Sequence, residues 1–165
     1  MHKDAVISEC GRFRYSLTRA WDRGLPQGTF IMLNPSTADA SEDDQTIRKC
    51  IGFSQRLGLG GFEVVNLFAF RARDPKDLRA ASYPCGPDND QHIREALART
   101  SGPVICAWGA HARGLHRPKE VLQLLMDAGH SSGNALALLK DGTPGHPVLL
   151  PYSDQLVGFP LRGAH

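Results

Sequence analysis

Apolar residues fall in short runs whose spacing switches between the two-residue period of a strand and the longer period of a helix. Ala5 to Glu9 and Arg12 to Trp21 predict two strands joined at Cys10-Gly11. In the second, alternation puts Phe13, Tyr15 and Leu17 on one face and Arg14, Ser16 and Thr18 on the other. An antiparallel hairpin at a sheet edge accommodates both. After a turn at 22–28, Thr29 to Leu33 predicts the first central strand, and 44–57 a helix with Ile47, Ile51 and Leu57 inward, ended by the glycines of Gly58-Leu59-Gly60-Gly61. Phe62 to Phe70 is a nearly continuous apolar strand, of the kind buried on both faces of a parallel sheet, broken by one polar residue, Asn66. Asp74-Pro75 starts a short helical turn, Tyr83 to Asp90 is a loop, and a helix runs from about Asp88 to Arg99 with Ile93, Ala96 and Leu97 inward. Pro103 to Trp108 is a third strand. A helix begins at Gly109, restarts after Pro118 and reaches Ala128. Asn134 to Leu139 is a fourth strand, followed by a loop to His146-Pro147, an apolar stretch Val148 to Leu150, and an irregular tail from Pro151.

Strands alternating with helices, with connections long enough to cross over, predict an α/β protein. The expected architecture is a three-layer sandwich with a four-stranded parallel central sheet plus an N-terminal antiparallel hairpin. One domain over 1–165 is expected, with 1–22 as edge hairpin, 29–150 as core and 151–165 as tail. A chain of 165 residues, 41% hydrophobic and 22% charged, is long enough to bury a core. A net charge of +2 permits a nucleic-acid partner without requiring one. No apolar run approaches membrane-span length and residues 1–20 lack a signal-peptide core, so no membrane association is expected. The four cysteines form no CxxC pair and read as reduced thiols of a cytoplasmic protein, while oligomeric state is left open.

The chemistry concentrates after the first central strand. Asn34-Pro35 halts that strand, because proline lacks an N–H and fixes φ. Ser36, Thr37, Asp39, Ser41, Asp43, Asp44 and Thr46 follow, where a helix cap needs one such residue and Asp43 or Asp44 would supply it. In an open α/β sheet the carboxyl ends of the strands are where ligands bind. The same edge receives Asn66 to Phe70 (Phe68 included), Trp108-Gly109, and the loop holding His146-Pro147. Asn66, an amide in an apolar strand, either ties down a neighbouring loop or offers a paired donor and acceptor to a nucleobase edge. His146, extended because it precedes proline, presents its imidazole from a stiff loop, as a structural hydrogen-bonder or a catalytic group. Trp108 is core or a flat wall, and Gly109 opens a helix N-terminus that suits a phosphate. His111 and His116 are five apart, off any shared helical face. Asp39, Asp43 and Asp44 together would suit a Mg²⁺ ion, though two of them also suit a helix start. No GxSxG, Walker, GxGxxG or zinc-deaminase signature is present, and no cofactor or resident metal is expected.

The segments MLNPSTAD, DDQTIR, VVNLFAFRARDP, GPDND, CAWGAHAR and KDGTPGHP together resemble an uncharacterised bacterial family of about this length, a domain of unknown function. The order of elements also resembles the uracil-DNA glycosylase superfamily. There, a first-strand motif ends in Asp-Pro or Asn-Pro, a second strand ends in a base-reading Asn, a third strand leads into a helix, and a His-Pro or Asn-Pro loop follows the fourth. Leu33-Asn34-Pro35, Val64-Val65-Asn66, Ile105 to Ala110 and His146-Pro147 match in that order. The resemblance implies that Asn34 positions the water attacking C1′, Asn66 reads the base, and His146 stabilises the departing base anion. The superfamily's intercalating segment is absent, with Val148-Leu149-Leu150 in its place.

A nucleobase- or nucleotide-recognising hydrolase is therefore expected, most concretely a metal-independent N-glycosidase with Asn34 and His146 catalytic and an acid such as Asp39, Asp43 or Asp44 assisting. Pro35, Ser36, Thr37, Asp43, Asp44, Asn66, Phe68, Trp108, Gly109 and Pro147 are the expected substrate contacts. Nucleic acid or a nucleotide is the expected partner. A non-catalytic nucleotide-binding module and a metal-assisted phosphoesterase are the alternatives.

Overall fold

A computed structural model describes residues 1–162 of the chain. Strands β1 (His2–Ile7), β2 (Arg14–Ala20) and β3 (Gln27–Met32) precede helix α1 (Gln45–Arg56) and strand β4 (Gly61–Asn66). Helices α2 (Pro75–Ala80) and α3 (Asn89–Arg99), strand β5 (Val104–Cys106), helix α4 (Arg117–Asp127) and strands β6 (Gly133–Ala135) and β7 (Val157–Phe159) complete it. All seven strands form one sheet in the order β1-β2-β4-β3-β5-β6-β7. The β3–β4, β3–β5 and β5–β6 pairings are parallel, and the β1–β2, β2–β4 and β6–β7 pairings antiparallel.

The α/β class is as expected, but the sheet is seven-stranded and mixed rather than four-stranded and parallel. One cause is the tail, which returns to the sheet: Val157–Phe159 pairs along β6, and Phe159 packs edge-on against Trp108. Upstream of it Tyr152 lies on α1, its ring edge-on to Phe53 and beneath the Arg56 guanidinium at 3.9 Å. Such contacts anchor a segment whose sequence is too short and polar to show a strand period; the part of the expected tail at 163–165 lies outside the described residues. Other elements are shorter than expected, the strands at 103–108 and 134–139 being reduced to the three residues each of β5 and β6. Of the strand expected at 62–70, β4 covers the part up to Asn66, with two further bonds from Leu67 and Phe68 to Met32 and Leu33. In place of a helix at Gly109 there is one 3-10 turn, Ala110–Ala112. Helix α4 starts later, with Pro118 in its first turn where a missing N–H costs nothing.

Each face of the sheet carries its own core. Ile47, Cys50 and Phe53 of α1 pack on Leu17, Phe30, Met32 and Val64, whereas Ile93 and Leu97 of α3 and Val121 and Leu125 of α4 pack on Ile31, Val65, Leu67 and Cys106. Successive side chains of β3 and β4 go to opposite faces and both faces are buried, which is why these runs read as nearly continuously apolar.

In β2 that alternation breaks. Val6 pairs with Ser16 and Ile7 with Arg14, so Tyr15 is an extra residue in a β-bulge. Tyr15 stacks on His92 of α3 with ring centroids 4.7 Å apart, while Leu17 belongs to the core under α1. Arg14 consequently shares the α1 face with Leu17, three positions away, which corrects the simple alternation expected of this strand. No helix among the described residues is long and apolar enough to cross a membrane.

Candidate functional site

Parallel pairing brings the carboxyl ends of β3, β4, β5 and β6 to one edge. Past β3 the chain keeps bonding to β4 for two residues, Leu67 N donating to Met32 O at 2.8 Å and Phe68 N to Leu33 O at 3.0 Å. Pro35 then forces the exit. The Asn34 side chain shapes that exit: its Nδ2 donates to Ala72 O at 2.7 Å and to Pro35 O at 2.9 Å. Its Oδ1 accepts no hydrogen bond from the described residues, so half of the amide is spent on the turn and half is free.

The polar loop that follows is built around a fully buried arginine, Arg19 of β2. Its Nε donates to Asp43 Oδ1 at 2.7 Å, and its Nη2 to the carbonyl oxygens of Asp39 at 2.6 Å and Glu42 at 3.1 Å. Asp43 also meets Lys3 at 3.3 Å; Arg19 and Lys3 hold its carboxyl below the usual range although burial pushes the other way. Asp39 closes its own turn, Oδ1 accepting from the Glu42 and Ser41 amides at 2.8 and 2.9 Å, which lowers its pKa. Asp44 is the N-cap of α1, with Oδ1 accepting from Ile47 N at 2.9 Å.

The opposite wall comes from the ends of β5 and of the 140s loop. Gly109 N donates to Pro144 O at 3.0 Å, joining the two segments. Gly109 has φ +80°, a conformation reserved for glycine, and a Cβ there would lie 2.9 Å from that of His146. His146 Nδ1 accepts from Val148 N at 3.2 Å, opening the 3-10 turn Pro147–Leu149. An Nδ1 that accepts leaves the proton of the neutral ring on Nε2. Burial lowers the His146 pKa, with His111 adding to the effect and Asp44 opposing it.

These walls enclose a cavity of about 380 Å³. It brings together Asn34, Pro35, Ser36, Asp44, Trp108, Gly109 and His146 of the expected residues. Thr37, Asp39, Asp43, Asn66, Phe68 and Pro147 are not among its lining residues. Thr37 lines a shallow depression beside Arg71 and Arg73, Phe68 packs against the core under α3 and α4, and Pro147 is buried. Asn66 is 1% exposed, and neither its Nδ2 nor its Oδ1 has a partner. The loop-tying role open to it belongs instead to Asn89, whose Nδ2 donates to Asn66 O at 2.9 Å and Leu67 O at 3.2 Å.

Sequence reasoning missed Arg14, Arg73 and His111 on the cavity wall. Arg14 alternates with Ser16 and Thr18 on the strand's polar face in the sequence, and the bulge that turns it inward leaves no mark in the residue pattern. A second cavity, of about 450 Å³, lies beyond Trp108 beside Arg113, His116 and Asp141. Within it Arg113 and Asp141 are paired with each other at 2.7 Å. Among the described residues no three His, Cys, Asp or Glu side chains gather as metal ligands would. Asp39, Asp43 and Asp44 hold different partners.

No curated protein and no solved structure matches the chain. A family model described as a protein of unknown function (DUF1643) matches residues 14–148, from the arginine at one wall of the cavity to the valine at its other rim, and the chain belongs to that family.

Proposed function

We propose that the cavity binds a nucleobase-containing ligand and hydrolyses its N-glycosidic bond. The observation that carries this reading is the meeting of Asn34, Asp44 and His146, from three separate segments, on one small cavity at the strand ends. The free Oδ1 of Asn34 accepts a hydrogen bond from an attacking water. The Asp44 carboxylate favours the positive charge that develops on the sugar and takes a proton from that water, which an amide cannot do. The neutral His146 ring donates from Nε2 to the departing base. Such a donor stabilises charge only where it develops, so it lowers the barrier rather than merely tightening binding.

Asn66 supports the reading in a different way. A buried amide without partners costs about 1–3 kcal/mol, and a base edge is the kind of group that satisfies it. It lies outside the lining of the cavity, so base reading by Asn66 requires the cavity to deepen when ligand enters. Leu149, 80% exposed beside the mouth, is an apolar group of the sort that unstacks a base.

The second reading is a binding module on the same cavity. It is favoured by Asp44, whose oxygens already accept from Ile47 N and Ala38 N and are less available to a water.

The test is a gel assay on single- and double-stranded oligonucleotides carrying uracil or hypoxanthine, with EDTA present, together with release of free base from the corresponding nucleosides and nucleotides. Alkali-labile strands or free base establish glycosidase chemistry. Retarded bands without base release, weakening steeply as salt rises, establish the module instead.

A further inference from the structure

Three arginines are buried among the described residues, and two of them are paired with a carboxylate. Arg19 is bonded to Asp43 and to four carbonyl oxygens, and Arg117 donates to Leu67 O at 2.7 Å and pairs with Asp90. Arg14 is the exception. It is 2% exposed, and its one hydrogen bond among the described residues runs from Nη1 to Ala38 O at 3.1 Å. Its Nε is buried with no partner, and it belongs to no ion pair among the described residues. Asp44, the acid whose field acts on it most, spends both oxygens on backbone N–H groups. Burial pushes the Arg14 pKa down to about 10, with Arg71 and Arg19 adding to the effect, so it remains a cation at neutral pH.

A buried guanidinium left short of partners is costly, and this one is held on the wall of the cavity by a bulge rather than by the strand's ordinary alternation. The same cavity is lined by Ser36, whose hydroxyl has no partner among the described residues, and by Arg73. A planar guanidinium fork matches the paired oxygens of a phosphate.

From this arrangement we infer that Arg14 anchors an anion subsite, and that the cavity's ligand is a nucleoside carrying a terminal phosphate. The nucleoside half rests on the nucleobase reading above; the anion subsite rests on Arg14 alone. Depth argues for a terminal group. An internal phosphodiester would have to bring both flanking nucleotides to a side chain that solvent barely reaches, whereas a phosphomonoester enters as the end of its molecule. At about 380 Å³ the cavity is at the small end of ligand sites, suited to one mononucleotide.

The experiment is calorimetric titration of the whole protein with inorganic phosphate, with deoxyuridine and deoxyinosine, with their 5′-monophosphates, and with a short oligonucleotide with and without a 5′-phosphate. The expected result is binding of each monophosphate about ten- to a hundredfold tighter than its nucleoside, with the preference gone in Arg14→Met. Arg14→Lys, which keeps the charge but not the fork, retains a part of it. Arg14→Met is expected to fold with an unchanged or higher melting temperature, since it replaces an unpaired buried cation by an apolar chain of similar reach. An oligonucleotide that gains affinity only when 5′-phosphorylated identifies a strand end as the source of the phosphate; no gain identifies the free nucleotide.

Equal affinity for nucleoside and monophosphate overturns the inference, as does a phosphate preference that survives in Arg14→Met. Phosphate binding that depends on Arg14, without any base release, sustains the subsite and removes only the hydrolase reading. Arg14-dependent binding of inorganic phosphate with no affinity for nucleosides or nucleotides sustains the subsite and removes the nucleobase.

Discussion

A methyl group on Gly109 would sit 2.9 Å from the Cβ of His146, so the two residues fit together only because one of them has no side chain. Gly109 also has φ +80° and ψ −178°, a region essentially closed to other residues. Gly109→Ala is expected to lower stability by about 1–3 kcal/mol through strain. Because the displaced neighbour is His146, base release is expected to fall further than stability does. Denaturant melts and turnover measured on the same variant check it; a variant that is destabilised but fully active would separate Gly109 from the site.

His146 gives a pH signature with a definite sign. Its folded pKa is depressed by burial below the ordinary value of about 6.5. Between those two values the unfolded chain binds a proton that the folded protein refuses, so stability rises with pH across that window and is fully present above it. As pH falls through the window the contribution is lost. Protonation also turns Nδ1 into a donor facing the Val148 N–H, opening the 3-10 turn. Melting temperatures of wild type and His146→Gln between pH 4 and 8 are expected to diverge at the acid end, the variant lacking this part of the acid loss. Parallel curves refute it.

The two asparagines are expected to fail in opposite ways. Asn34→Ala deletes the bonds to Pro35 O and Ala72 O and should cost about 1–3 kcal/mol together with turnover. Asn66→Ala loosens ligand binding, while Asn66→Leu, which removes an unpartnered buried amide and keeps its branched shape, is expected to raise the melting temperature of the free protein. Near-native activity in both alanine variants would sink the glycosidase reading. A lower melting temperature for Asn66→Leu would show that the amide is satisfied after all.

Arg19 and Asp43 should behave as a buried pair. Removing the carboxylate leaves a fully buried guanidinium short of its counter-charge, and Asp43→Ala is expected to cost up to about 3–5 kcal/mol, reduced because Asp43 is partly exposed. Asp39→Ala, at a solvent-accessible turn, is expected to cost much less. Urea titrations of the two variants test the ranking, and equal losses would show that the loop does not depend on Arg19.

Much of this was legible in the sequence wherever a residue's local chemistry and its tertiary role coincide. Asn34 and His146 each precede a proline, which fixes where the chain leaves its element, and both line the cavity. The apolar runs at 29–33 and 62–66 are strands because β-branched and aromatic residues recur on both faces. Asp39 and Asp43 were harder to read, since a carboxylate in a polar loop looks the same whether it faces a ligand, a backbone N–H or a buried arginine. Asn66 showed its oddity but not its position behind the lining. Strand β7, three residues including Gly158, is too short to carry a period and owes its place to Phe159 meeting Trp108.

The extra residue at Tyr15 makes one charge of the cavity a matter of counting. Shortening β2 by that residue would leave every amino acid before it unchanged in kind and exchange the side of the sheet each one visits, sending the guanidinium of Arg14 toward α3 and the ring of Phe13 toward α1. No change in the chemistry of position 14 accomplishes the same loss so completely. Comparison of related chains should therefore attend to length in this strand before identity: a relative that keeps the arginine but lacks the bulge has kept the letter and not the site.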